Sequence, residues 1–359
     1  MRERVAWWLQ RTGALGAVME LRRHVPAPML SIVTYHHIAD HDPAYPYDPN
    51  VADAAPMQFR RQMETIARYG TPIGIDDLIR AIGGAPLPRN PVMVTFDDGY
   101  RSCHDVALPI LRAVGVRATF FIATSFVSER RLYWWERIAL MLGASRRRSI
   151  EIGYPRLAQP ARSAQPTKFE LDDPLIHEKL TDIVKNTMEL DVERFLDGLA
   201  AALEVDWGPE LEAGHAEQLI MTWDQVRALA RAGMDVESHG RRHRVLQTLD
   251  AATLEDELVG SRRELEAQIG RPVRALAYPV GRGINGERRI RDALAKAGYQ
   301  IGMSNKSGVN RWWPPPLRAL VPIDPFDVRR LATDRQLSDA MFLTQMALPQ
   351  LAYRSNHRG

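Results

Sequence analysis

Residues 91–100 are Pro91-Val92-Met93-Val94-Thr95-Phe96-Asp97-Asp98-Gly99-Tyr100. The first six are apolar or β-branched, which predicts a buried strand. The strand ends at Asp97 and Asp98, two like charges that repel each other and lose hydration when buried. A cation between them, or the use of one carboxylate as a working base, makes this arrangement tolerable. The alternative is that the acids cap the next helix, with Gly99 in a turn.

A second cluster follows another short strand candidate at 234–237. It contains His239 and His243, which are four residues apart, so one helical turn would point both imidazoles the same way. Two neutral imidazoles and one carboxylate make three ligands and leave positions open for water or substrate. Alone, this spacing is weak evidence, and a structural or surface pair is the alternative. Together with the acid pair at another strand end, it predicts a catalytic site for a divalent metal.

A third strand candidate, 274–278, ends in a Pro-x-Gly turn formed by Pro279, Val280 and Gly281. Such a turn can bring backbone N–H groups close to a substrate oxygen.

In this order the three motifs resemble those of the polysaccharide deacetylase family, carbohydrate esterase family four. That family has T-F-D-D-G, then H-S/T-x-x-H, and in one large branch A-Y-P-Y-G. The likeness runs from about residue 31 to about residue 331 and includes an opening Tyr35-His36-His37-Ile38, similar to the Y-H-x-I of that branch. The resemblance implies an α/β fold, a distorted (β/α)7 barrel, here with a helical insertion.

The resemblance also implies the chemistry of the site. Asp97 would be the general base, and Asp98, His239 and His243 would hold a divalent metal. Zn²⁺ is the favoured ion, with Co²⁺, Mn²⁺ and Ni²⁺ as alternatives, because two imidazoles and one carboxylate suit several of them. The metal would polarise an N-acyl carbonyl and lower the pKa of a bound water.

The turn after the third strand candidate corresponds to the family's third motif. The backbone N–H of Val280, at the position of the family's second Tyr, would help to hold the oxyanion. Tyr278, Pro279 and Gly281 are expected to contact substrate beside it.

The chain departs from the family pattern in the residues that support the motifs. Gly240 stands where Ser or Thr is usual, so a side-chain hydrogen bond to the loop is missing. Ala277 stands where the family's other third motif has the Arg that pairs with the base, and Arg282 and Arg318 are alternative substitutes.

No Leu-x-His motif, which supplies the family's usual acid, appears near the C-terminus. We hypothesise that His36 is the acid, since the first strand of a closed barrel neighbours the last. The alternative is a structural, hydrogen-bonded His36. His37 is the poorer candidate because alternation along the strand points it to the opposite face.

Strand-like runs alternate with helical patterns, which predicts a parallel barrel. The predicted strands are 31–36, 92–96, 118–123, 234–237, 274–278, 299–303 and 319–323. The predicted organisation is an N-terminal amphipathic helix (1–26), the barrel (27–335) with an insertion or lid (128–221), and a C-terminal tail (336–359). Trp134 and Trp135 open the insertion, where they would stack on sugar rings or anchor the lid.

The composition is that of an ordinary globular chain, with 359 residues, 45% of them hydrophobic. A formal charge of +3 gives no reason to expect a nucleic-acid partner. The apolar runs near the N-terminus are too short for a secretory signal or a membrane span, which favours a cytoplasmic protein. Basic residues flank them, so residues 1–25 would either contact an anionic membrane peripherally or pack on the barrel.

The sequence thus predicts a metal-dependent hydrolase that removes an N-acyl group, acetyl in the leading hypothesis, from an amino sugar or a glycan or glycolipid precursor. Two alternatives stay open. One is a deformylase or non-sugar amidase on the same scaffold. The other is an inactive barrel that serves as a binding module.

Overall fold

The protein is described by a computed structural model that covers residues 2–24, 29–40, 42, 44–155, 167–311 and 323–349. Its strands are β1 (Met29–Tyr35), β2 (His37–Ile38), β3 (Ala52–Ala54), β4 (Thr71–Pro72), β5 (Pro91–Phe96), β6 (Ala118–Ile122), β7 (Ser149–Ile152), β8 (Thr167–Glu170), β9 (Asp235–Ser238), β10 (Ala275–Ala277), β11 (Ile301–Ser307), β12 (Asn310–Arg311) and β13 (Val328–Ala332). Seven parallel strands form a barrel in the order β1-β5-β6-β9-β10-β11-β13, which closes because β1 pairs with both β5 and β13. This confirms the predicted fold.

Helices surround the barrel and form the insertion. They are α1 (Arg2–Arg11), α2 (Ala14–His24), α3 (Pro56–Tyr69), α4 (Ile75–Ile82), α5 (Leu108–Val114), α6 (Thr124–Glu129), α7 (Trp134–Ala144), α8 (Ile176–Asn186), α9 (Val192–Leu203), α10 (Pro209–Leu219), α11 (Trp223–Arg231), α12 (Ala251–Glu255), α13 (Ser261–Ile269), α14 (Arg288–Ala297) and α15 (Asp339–Ala347). Helices α7 to α10 and the antiparallel pair β7–β8 lie between β6 and β9 in the chain, within the predicted insertion.

Strand β5 shows how the sequence builds the barrel. All six of its residues are buried, because a barrel strand is covered by side chains on one face and by helices on the other. Val94 and Phe96 face outward, where the Phe96 ring packs on Phe59 of α3. Met93 belongs to the inner cluster. Because side chains alternate, Thr95 and then Asp97 continue the inner row to the carboxyl end of the barrel.

Six predicted strands overlap barrel strands of the structure. The seventh prediction, 319–323, falls almost entirely outside the described residues. The strand that closes the barrel is instead Val328–Ala332. Its two arginines break the apolar pattern: Arg329 is exposed, whereas Arg330 is buried inside the barrel.

The two ends of the chain pack together. The predicted N-terminal helix is two helices, α1 and α2, separated by a turn at Gly13, whose φ of 76° is left-handed. Both contact α15, which occupies part of the predicted C-terminal tail and is buried from Ala340 to Ala347. Within the described part of the chain, every helix is too short or too polar to cross a bilayer.

Candidate active site

The two acids after β5 point to different partners because the backbone turns sharply between them. Asp97 stays in the barrel, with its N–H donating to the Tyr35 carbonyl at 2.9 Å. Asp98 has a φ of 71°, a left-handed conformation that costs energy for a residue with a side chain. The turn therefore separates the roles of the two carboxylates, and strain is stored where they meet.

The two histidines follow β9 and converge on Asp98. The His239 Nε2 lies 3.2 Å from Asp98 Oδ1, and the His243 Nε2 lies 3.3 Å from the same oxygen. One ligand atom from each of the three residues lies within 4.8 Å of the others. Residues 239–243 form a loop rather than the predicted helical turn, because Gly240 and His243 both have positive φ.

The donor set fits a divalent cation. His239 Nδ1 donates to the Ala277 carbonyl at 2.8 Å, which leaves Nε2 as the lone-pair side facing Asp98. Burial lowers the pKa of His243 to about 3, so this imidazole is neutral and able to coordinate. Asp98 Oδ1 is buried and receives no hydrogen bond from the described residues. Three acceptors that face one another without a proton between them are satisfied by a metal ion.

Glu257 supports the 239–243 loop in place of the Ser or Thr that the family has at position 240. Its buried carboxylate accepts the backbone N–H of Arg241 at 2.8 Å and that of Arg242 at 3.0 Å. A Cβ at position 240 would lie 2.9 Å from the Glu257 Oε2, and the φ there is 78°. Gly240 therefore lets the loop close on Glu257, where Ser or Thr would not fit without rearrangement.

Arg330 is the partner of the proposed base. Its two terminal nitrogens each donate to one oxygen of Asp97 at 2.7 Å, and both residues are buried. Burial opposes the charge on Asp97, but the Arg330 guanidinium outweighs it and holds the pKa of Asp97 well below its usual value. Of the two arginines that the sequence suggested, Arg282 bonds instead to Asn186 of the insertion, and Arg318 lies outside the described residues.

His36 stands beside the same carboxylate. Its Nε2 lies 3.9 Å from Asp97 Oδ2, and its Nδ1 bonds to Asp53 Oδ2 at 2.9 Å. Burial disfavours a charged imidazole, but the charge and hydrogen bond of Asp53 outweigh it and raise the pKa of His36 to about 10. His37 points the other way, as predicted, and bonds to Ser102.

The two acids, the two metal-site histidines and His36 line one cleft of about 430 Å³ at the carboxyl end of the barrel. Its lining consists of His36, Asp48, Asn50, Val51, Asp53, Asp97, Asp98, Trp134, Trp135, His177, Glu178, Thr181, Lys185, His239, His243, Val280, Gly281 and Asn305. The catalytic and metal candidates thus share a cavity with six residues of helices α7 and α8, so the insertion forms one wall.

The third motif divides between the cleft and the core. Val280 and Gly281 line the cleft with positive φ, and a Cβ on Gly281 would collide with the Asn305 side chain. Tyr278 is buried and donates to the Phe326 carbonyl at 2.8 Å, away from the cleft lining. Pro279 is also buried outside that lining. Tyr278 and Pro279, which were expected to contact substrate, therefore lie outside the cleft lining, and strand alternation turns the Tyr278 side chain outward.

The two insertion tryptophans are buried where they meet the metal-site loop. Trp135 has its ring 4.6 Å from the His243 ring and donates to the Tyr100 hydroxyl at 2.8 Å. Trp134 lies over the same histidine, with ring centres 6.2 Å apart. Both line the cleft, and both hold the insertion against the barrel.

Sequence reasoning missed Arg330, Asp53 and Glu257. Arg330 and Asp53 reach the site from segments far from the motifs, and the only local signal for Arg330 is a charge at an inward position of a strand. Glu257 lies in a π-helical turn (Asp256–Gly260) between α12 and α13, and no motif in the sequence marks it.

Comparison with known proteins agrees with the barrel fold described above. A search of curated proteins found no match. Among solved structures, the deacetylase PplD of Streptococcus pyogenes in complex with acetate is 17% identical, with a TM-score of 0.56 over 89% of this chain and 99% of that one. A polysaccharide deacetylase from Bacillus cereus is 16% identical, with a TM-score of 0.53 over 89% of this chain and 69% of that one. IcaB from Ammonifex degensii is 15% identical, with a TM-score of 0.53 over 91% and 98%.

At these identities the likeness establishes the fold alone. The family described as polysaccharide deacetylase matches residues 84–153 and 177–302, which is more than half of the chain and includes both acids and both histidines. The chain belongs to the polysaccharide deacetylase family.

Proposed function

We propose that this protein is a metal-dependent N-deacetylase that removes an acetyl group from an amino sugar within a glycan or a glycolipid precursor. The observation that carries the proposal is that Asp97, which is held by the buried Arg330, lines the same cleft as Asp98, His239 and His243. A structural ion pair alone would not require three further acceptors to converge without a proton between them.

Asp98, His239 and His243 would hold the ion, with Zn²⁺ as the favoured metal; when bound, it supplies Lewis-acid polarisation of the acyl carbonyl and a more acidic water. Asp97 is kept ionised by Arg330 and takes a proton from the attacking water. The hydroxyl oxygen joins the carbonyl carbon as the C–N bond breaks, so the products are acetate and a free amine.

Two further groups assist the departing amine and the developing charge. Val280 lines the cleft, where its backbone N–H would donate to the oxyanion. His36 carries a proton at neutral pH because of Asp53, and its Nε2 faces Asp97. It would deliver that proton to the leaving nitrogen, which departs poorly as an anion.

Acetate release tests the reaction. The substrates are N-acetyl amino sugars, free, in oligosaccharides, and linked to nucleotide or lipid, compared with N-formyl sugars and with linear and cyclic amides. Acetate should be released from N-acetyl sugars, and chelation should stop the reaction. Asp97→Asn keeps the shape and removes the base, so it should lose at least about 100-fold in kcat.

His36→Gln should lose activity to a similar degree, whereas His104→Gln, a partly exposed histidine after the acid pair, should behave as wild type. Metal content of protein purified without chelators provides the independent readout. A preference for formyl or non-sugar amides would replace the proposed substrate, and full activity in Asp97→Asn would contradict the mechanism. Absence of both bound metal and hydrolysis would favour an inactive binding module.

A further inference from the structure

The first helix exposes an unusual set of side chains. Val5, Trp7 and Trp8 of α1 are 45%, 47% and 61% exposed, whereas Ala6 between them is buried against the rest of the protein. Trp7 and Trp8 are the only exposed tryptophans among the residues that the structure describes. Their rings touch edge to face, with centres 5.7 Å apart. The apolar residues of the predicted amphipathic helix therefore do not share one environment. Leu15 and Met19 of α2 are buried, whereas the tryptophans of α1 are exposed.

Two arginines share this outward face with the tryptophans. Arg4 and Arg11 lie one helical turn from Trp7 and Trp8, and both are exposed. The Arg11 guanidinium lies 5.0 Å from the centre of the Trp7 ring. Neither arginine forms an ion pair with a residue in the described part of the chain, so both charges are available to an external anion.

We propose that this face of α1, formed by Arg4, Val5, Trp7, Trp8 and Arg11, docks on an anionic lipid surface. Indole rings prefer the boundary between headgroups and acyl chains because one edge is apolar and the N–H is polar. Arginines interleaved with them would meet lipid phosphates, and a basic amphipathic helix lies in the plane of such a surface.

A second copy of the chain fits this face less well. A self-complementary contact would bring Arg4 and Arg11 of one copy against the same cations of the other. The exposed parts of the two indoles and Val5 offer roughly 300 Å² of contact, whereas a stable dimer buries about 800 Å² per partner.

The contacts of α1 relate the docking face to the cleft. The Glu3 carboxylate accepts from the Ser338 hydroxyl at 2.7 Å, at the start of α15. Arg335, three residues earlier, donates to the Ala52 carbonyl at 3.0 Å, next to the cleft residue Asp53. The start of α1 therefore lies at the same end of the barrel as the cleft, so docking would bring the site close to lipid-linked material.

Co-sedimentation of the full chain with vesicles tests the docking face. The vesicles are pure phosphatidylcholine or an equimolar mixture with phosphatidylglycerol, at low and high salt. Wild type should bind the mixed vesicles, less at high salt. Trp7→Ala/Trp8→Ala should lower the partition coefficient about 10-fold or more, and Arg4→Gln/Arg11→Gln about 30-fold. The control, Met188→Ala/Leu211→Ala, removes two similarly exposed apolar side chains elsewhere and should bind as wild type.

Circular dichroism and acetate release from a water-soluble substrate should be unchanged in all three variants, which separates this proposal from the catalytic one. Failure of wild type to bind mixed vesicles would overturn docking, as would unchanged binding of Trp7→Ala/Trp8→Ala. Equal binding to neutral vesicles at both salt concentrations would also overturn it. So would a dimer that the tryptophan substitutions dissociate without any vesicle binding, since this face would then join two copies.

Discussion

Arg330 and Asp97 form a fully buried ion pair with two parallel hydrogen bonds of 2.7 Å. The planar guanidinium matches the carboxylate and fixes its orientation, which a lysine could not do. Because removing one partner leaves the other charge buried and unpaired, the pair bears on stability as well as on the proposed catalytic step.

Arg330→Gln should raise the pKa of Asp97, so the acid limb of the pH profile of kcat/KM should move to higher pH. Unfolding free energy should fall by about 3–5 kcal/mol, the usual cost of breaking a buried pair. Profiles of kcat/KM against pH and urea unfolding measure the two effects. Arg329→Gln alters the exposed neighbour on the opposite face and should leave both unchanged. An unmoved acid limb in Arg330→Gln would show that another group carries the base.

Single residues of the candidate site could be predicted from the sequence where they belong to short motifs, but the side chains that pair with them could not. Asp98, His239 and His243 were predicted as a set because each belongs to a recognisable local pattern, and the structure brings them together. Arg330 is 233 residues from Asp97, so only the closed barrel relates them. Local pattern does not encode which inward side chain of one strand faces another strand across the barrel.

The loop between β9 and α12 is the element that positions the two histidines of the candidate metal site. The left-handed conformation of His243 would be costly in isolation, whereas Gly240 adopts its positive φ without a steric penalty. The buried Glu257 carboxylate stabilises the loop through backbone hydrogen bonds, and Trp135 packs on the His243 ring. The sequence predicted a helical turn here because a four-residue histidine spacing is helical, but the glycine and the carboxylate anchor favour a loop.

Glu257→Gln should weaken metal binding about 10- to 100-fold, the range for groups that orient metal ligands. The side-chain amide nitrogen of glutamine is a hydrogen-bond donor, and it would face the backbone N–H donors of Arg241 and Arg242. Titration with Zn²⁺ against a competing chelator measures the affinity, and the KM for substrate at saturating metal should change less. Asp256→Asn removes an exposed partner of the same two arginines and is the matched control. Equal metal affinity in wild type and Glu257→Gln would remove Glu257 from this role.

Glu136 connects separate parts of the whole molecule. It lies on α7 of the insertion, accepts from the Tyr100 hydroxyl beyond β5 at 2.6 Å, and accepts from the backbone N–H of Asp48 at 2.7 Å. Burial raises the pKa of Glu136 to about 8, with Asp48 and Asp98 adding to the shift. The acid therefore keeps its proton in the folded state at pH values where the unfolded chain has lost it.

The sign of the pH dependence follows from this difference. Between the unfolded pKa of 4.5 and the folded pKa of about 8, the native state binds more protons, so unfolding free energy falls as pH rises. Glutamine resembles the protonated acid, so Glu136→Gln should lack this loss. Wild type should lose up to about 1.4 kcal/mol per pH unit relative to the variant. Urea unfolding from pH 5 to 8 measures it, with the exposed Glu210→Gln as control; parallel curves for wild type and Glu136→Gln would contradict the account.

The barrel architecture could be predicted from alternating strand and helix patterns together with the three motifs. The closing strand and the C-terminal helix could not be predicted in this way. The closing strand Val328–Ala332 carries Arg329 and Arg330, so it lacks the apolar run from which a strand is predicted, and 319–323 was predicted instead. Helix α15 lies where a tail was predicted. Its apolar residues are buried by contacts with α1 and α2, which lie far away in the sequence. In both cases the decisive contact joins opposite ends of the chain, beyond the reach of local periodicity.

Pairing of β1 with β13 has a consequence for biosynthesis. Strand β1 pairs with β5, which is translated soon after it, but its second neighbour β13 is translated roughly 300 residues later. A nascent chain that stops before Arg330 holds Asp97 without its counter-ion and leaves the barrel open on one side. Catalytic competence should thus arise only after β13 has been translated, which keeps an incomplete barrel from acting on substrate.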